Sequence, residues 1–151
     1  MHRTNPTEPK PGPAGKRKRQ RGSALVETAL TFTTFAFMLI GIADFGQFLF
    51  IHQALVERAR GAARWGALSN PADLTSIQNM VLYNQSTAPV GGGAGYLGLT
   101  SSNVQVSNPG SGTNDNRVVI FVTNYSYTVL SPYIGGTYTG PNITITYPVG
   151  N

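Results

Sequence analysis

RGSALVETALTFTTFAFMLIGIADFGQFLFIHQALVERARGAARW, residues 21–65, decides how this chain is read. It opens on a basic edge, passes into a long apolar run and ends in an Ala/Arg-rich extension. No side chain from Ala29 to Ala43 is charged, and past the lone Asp44 the run continues through Phe45, Phe48, Leu49, Phe50 and Ile51. That exceeds the roughly 18 apolar residues that mark a membrane-spanning helix. One carboxylate, Glu27, stands just inside its start. A soluble core has no use for this arrangement, so the function is expected here.

Charge is distributed unevenly. Residues 1–22 hold seven of the eleven Lys/Arg and one acid, a balance of +6. Residues 23–151 hold four basic and five acidic side chains, a balance of −1. The basic character therefore belongs to the leader, and a nucleic-acid partner loses its support. Residues 1–15 contain Pro6, Pro9, Pro11 and Pro13 without apolar periodicity, which reads as a disordered tail. KRKRQR, residues 16–21, then abuts the apolar run. A nuclear-localisation or RNA-binding tail is the competing reading, but a basic cluster beside a span holds that side in the cytoplasm. The far flank sets Arg58, Arg60 and Arg64 against Glu57, a weaker claim, so the N-terminus is expected inside.

Gly22 follows the basic cluster, and Glu27 stands at the fifth position beyond it. A secretory signal places its small-residue cleavage site after the apolar region. Here the candidate cleavage glycine precedes it, so a cut would leave the helix on the mature protein. The plainer alternative makes Gly22 a flexible joint and Glu27 a residue at the headgroups. G-x4-E alone is a weak signal, strengthened by its place between a basic run and an apolar span.

RGSALVETAL, followed by GIADFGQFLFIHQALVERARGAAR, resembles the N-terminal segment of TadE-like proteins, minor pseudopilins of tight-adherence (Flp-type) pili within the type IV pilin class. The likeness covers roughly Arg21–Ala67, and the strand-rich C-terminal half only loosely. It implies cleavage after Gly22 by a membrane-embedded prepilin peptidase, with Ser23 as the new N-terminus and Glu27 as the fifth-position glutamate. It also implies other pilins and the pilus assembly platform as partners, and a bacterial inner-membrane location. Thr28 departs from the pattern, since Flp major pilins carry tyrosine there. That departure and the 85-residue distal part favour a minor pilin.

A carboxylate at the centre of a span costs about 2.5–3.5 kcal/mol on insertion scales and usually marks function. Cleavage at Gly22 creates an ammonium four residues before Glu27. The two charges, on one subunit or on neighbours, can compensate each other's desolvation and set register more than stability. Asp44 follows 17 residues later, about 25 Å along a helix. It reads as an interfacial aspartate, or as a polar helix–helix contact near Gly41 and Gly46.

The remaining expectations are α+β. Behind a basic disordered leader over 1–22, removed by the cleavage, one long helix is expected over 23–66, with its transmembrane part over about 28–51, packed on a small antiparallel sheet in an extracytoplasmic domain over 67–151. The arginines of its second half read as a solvated face rather than a lipid-phosphate site. Asn70 is expected to cap a short amphipathic helix with Pro71 at its first position, running to Tyr83 or Asn84. VGGGAGYLG lacks the Lys-Ser/Thr of a phosphate-binding loop and reads as a plain loop. Strands are expected at 104–107, 117–124, 125–130 and 142–147, with 117–130 as one possible long bent strand. The tyrosines there suggest cross-strand packing before carbohydrate stacking.

An enzyme lacks its parts. His2 lies in the leader, His52 lies near the membrane boundary, cysteine is absent and the acids are scattered. No catalytic residue, metal or cofactor is expected. Two other readings remain, an uncleaved membrane-anchored binding domain and a type II secretion pseudopilin.

Overall fold

The computed structural model describes residues 16–129, 131 and 135–150, with side chains from residue 22 onward. The expected disorder of residues 1–15 lies outside that range. The first helix, α1, runs unbroken over Lys16–Ser69. It begins at Lys16, ahead of the expected start at Ser23. The chain divides into two units, residues 1–40 and 41–151.

In the first unit the described side chains are exposed, apart from Ala36 and Ile40, which are partly covered. Leu25, Leu30, Phe32 and Met38 are all 65–72% exposed, apolar groups with no protein against them. Its threonines keep their polarity internal. Thr28, Thr31 and Thr34 donate their hydroxyls to the carbonyls of Ala24, Glu27 and Leu30 at 2.8–2.9 Å. Such back-bonding removes the cost of a bare hydroxyl in hydrocarbon.

The second unit is an α+β domain that starts on the same helix. From Leu55 onward α1 buries a stripe of Leu55, Ala59, Ala62 and Ala63. The second helix, α2 (Leu74–Tyr83), contributes Ile77, Val81 and Leu82 to the same core. Gly66 permits the close approach of the two helices, since a Cβ there would stand 2.5 Å from the buried Ile77. The cap of α2 corrects the expectation. Asp73, not Asn70, accepts from the N–H of Ser76, while Asn70 accepts from Ala72 N and closes a preceding turn. The Asp73 carboxyl is held below its ordinary range, first by the Ser76 hydroxyl and then by that N–H. Asn84 ends the helix in the left-handed conformation, φ 59°.

Strands β1 (Val104–Ser107), β2 (Arg117–Val122) and β5 (Ile143–Pro148) form an antiparallel sheet in the order β1-β2-β5. The register aligns Val104, Val122 and Ile143 in one row and Val106, Ile120 and Ile145 in the next. Val118, Ile120 and Val122 turn inward and are fully buried. Burying each such side chain contributes about 1.5–3 kcal/mol. Gln78 of α2 donates to the carbonyls of Ser101 and Val104, fastening α2 to the start of β1.

β3 (Ser126–Thr128) and β4 (Thr137–Thr139) form a separate two-stranded ribbon. The alternative of one long bent strand over 117–130 is therefore excluded, and two separate strands stand where 117–124 and 125–130 were expected. Asn124 adopts a left-handed φ of 53°, and Asn103 holds the break by donating to the carbonyls of Thr123 and Asn124. Leu130 and Tyr133 lie outside the described residues. Tyr127 and Tyr138 are direct cross-strand partners with ring centroids 6.0 Å apart. Two arginines of α1 are engaged within the protein: Arg60 pairs with Glu57 at 2.7 Å, and Arg58 lies 4.2 Å over the Tyr96 ring.

Two glycines test this packing in opposite directions. A Cβ at Gly140 would stand 2.0 Å from the Tyr125 ring, whereas one at Gly61 meets nothing within 4 Å. Gly140→Ala is expected to destabilise the fold by about 1–3 kcal/mol through overpacking. Gly61→Ala is expected to stabilise it by up to about 1 kcal/mol through helix propensity. Thermal unfolding in detergent checks both.

Candidate functional site

Gly22, Ser23 and Glu27 all lie on exposed turns of α1. Ser23 and Glu27 are separated by four residues, so they share one face a single turn apart. Glu27 is the only charged side chain from Gly22 to Ala43. It has no ion-pair partner among the described residues. The neighbouring threonine hydroxyls are spent on the helix's own carbonyls, so none is turned toward its carboxylate.

Gly22 has no packing reason to be glycine. A Cβ there meets nothing within 4 Å, and the backbone is helical. In a helix interior glycine costs about 1 kcal/mol relative to alanine. Among the described residues no contact requires glycine at this position. Gly41 and Gly46 are equally open.

Asp44 is half-buried and stands one turn ahead of Phe48. Phe48 packs its ring 5.0 Å from that of Tyr127, so Asp44 continues the face that α1 turns toward its own domain. Beyond Phe48 the helix meets that domain through His52. Its Nδ1 lies 2.8 Å from the Tyr125 hydroxyl, and its ring stacks on Phe48 at 6.0 Å. Tyr125 is 3% exposed. Burial, reinforced by nearby Tyr127, pushes its phenol above the ordinary tyrosine value. Sequence reasoning set His52 aside as a boundary residue, and its partner lies 73 positions away. No local pattern signals that pair.

Among the described residues no three His, Cys, Asp or Glu side chains come together. Of the two histidines only His52 is described, and it is engaged with Tyr125. What the site offers is an apolar helix surface with one carboxylate near its start. The helix is long and apolar enough to cross a membrane by length and composition.

The His52–Tyr125 pair generates a prediction for the domain. Tyr125→Phe should lower stability by about 0.5–1.5 kcal/mol through loss of one hydrogen bond. Because the folded-state value of the phenol is raised, its contribution is complete below the unfolded value near 10 and is lost as pH rises through the folded value. The stability gap between the native chain and the variant should therefore close at alkaline pH. Unfolding curves taken across that range check it.

The chain matches no curated protein sequence and no solved structure. Residues 22–64 match the family model for TadE-like protein. Gly22, Ser23, Glu27 and Asp44 all fall within that match.

Proposed function

We propose that this chain is a minor pilin-like assembly protein of a tight-adherence pilus, anchored by α1 in the bacterial inner membrane. The observation that carries this reading is Gly22. It has no packing role of its own, lies between a basic run and an exposed apolar helix, and opens the TadE-like segment. Prepilin peptidase cuts after it, and Ser23 becomes the mature N-terminus. The basic leader remains in the cytoplasm, and the α+β domain stands on the outer side.

The new ammonium at Ser23 then lies one turn from Glu27. Two opposite charges in hydrocarbon are tolerable together and costly apart. A subunit whose helix enters a bundle of pilin helices is accepted when each charge finds its opposite, within the subunit or on a neighbour. Recognition of the other pilins and of the assembly platform proceeds through this register, and the role is structural rather than catalytic.

Two outcomes are expected. Intact mass and N-terminal analysis of protein from native membranes should find Ser23 first, and Gly22→Leu should leave the precursor uncut in the membrane. Recovery of residues 1–21 on the working protein would refute the pilin reading. Glu27→Gln should insert and be cut normally, since glutamine is nearly isosteric and uncharged. Its co-purification with the other pilins should fall several-fold. Undiminished assembly would reduce Glu27 to a headgroup residue.

A further inference from the structure

The β3–β4 ribbon has too little of its own to stand on. Among the described residues its strands pair only with each other, three residues against three, and β4 is exposed along its whole length. A two-stranded ribbon of this size is marginal in water and needs a further surface. One side of that surface is known: Tyr127 packs on Phe48 of α1, and Tyr138 stacks on Tyr127. Around Phe48 the helix is itself uncovered, with Ile42, Phe45 and Phe50 59–69% exposed. Two turns beyond Phe48, α1 enters the protein core at Leu55, which is 1% exposed. The ribbon therefore leaves the helix where its bare apolar surface gives way to a packed one.

The ribbon's chemistry suits one kind of cover. No residue from Val118 to Gly150 carries a charged side chain. An exposed edge strand facing water is ordinarily blunted by charge, and β4 has none. It offers instead tyrosine rings, with Tyr138 41% exposed, among the exposed hydroxyl residues Ser126, Thr128, Thr137 and Thr139. Tyrosine has an apolar body and a polar tip, and it concentrates where hydrocarbon meets headgroups. Hydroxyls and headgroup water satisfy the open strand edge there.

We propose that the β3–β4 ribbon lies in the headgroup layer of the membrane that α1 enters, with Tyr127 and Tyr138 as interfacial anchors. The membrane boundary then falls between Phe48 and His52. This rests on the reading of α1 as a span.

The chain has no cysteine, so a single nitroxide label reports one position. Full-length protein carrying Tyr138→Cys, Val90→Cys or Phe35→Cys is reconstituted in phosphatidylcholine–phosphatidylglycerol vesicles. Collision with oxygen, which favours lipid, is compared with collision with a water-soluble nickel complex. The oxygen-to-nickel ratio at position 138 should exceed that at the fully exposed Val90 by roughly threefold or more, and fall below that at Phe35. Thr139→Cys, exposed on the same strand, gives the same reading without disturbing the ring pair. Equal ratios at 138 and 90, with position 35 deep in lipid, overturn the ribbon proposal and leave the span intact. A water-like ratio at position 35 overturns both. Spin–spin broadening at 138 that grows with protein density, without lipid contact, assigns the surface to a second copy and also overturns the proposal.

Discussion

The close approach of α1 to its own domain is the constraint on which the rest depends. Ala59, Ala62 and Ala63 carry only methyl groups into the core, and Gly66 carries nothing into its contact with Ile77. Larger side chains on that stripe would push the helix away from the sheet and open voids that a core of this size cannot absorb. Before Phe48 the same helix follows the opposite rule and displays large apolar groups, with Leu25, Phe32, Met38 and Phe45 61–72% exposed. One element thus serves two surroundings, and its composition changes where the surroundings change.

The switch is made by rings rather than charges. Phe48, His52, Tyr125 and Tyr127 meet in one cluster, joined by the hydrogen bond between His52 and the Tyr125 hydroxyl. Tyr125 is held from below by Gly140, whose missing Cβ is the space the ring occupies. The hydrogen bond satisfies two half-hidden polar groups at a point where water access is reduced, so losing one partner strands the other. This cluster fixes the start of the domain to one turn of the helix.

Much of this was legible in the sequence, for identifiable reasons. The long helix, the spacing of Leu74, Ile77 and Val81, and the alternation of Val118, Ile120 and Val122 follow from local periodicity. The Gly22–Ser23–Glu27 order was legible because it is itself a local pattern. Local competition misled at one place and left an alternative open at another. Asn70 and Asp73 are both good caps, and the Ser76 N–H decides for Asp73. Val118 through Thr128 reads as one strand until Asn124 takes a left-handed turn supported by Asn103, 21 residues away. β4 is only Thr-Tyr-Thr between glycines, too short to announce itself. That Gly22 lacks a packing role, and that His52 has one, required coordinates.

The uncharged character of β3, β4 and β5 has a consequence of its own. With no acidic, basic or histidine side chain beyond Arg117, that part of the domain has no group that titrates between mildly acidic and mildly alkaline pH. It casts no long-range field for salt to screen, so whatever it touches is found by collision and held by short-range fit. Its contacts should be indifferent to the ionic strength of the medium, in dilute water and in brine alike.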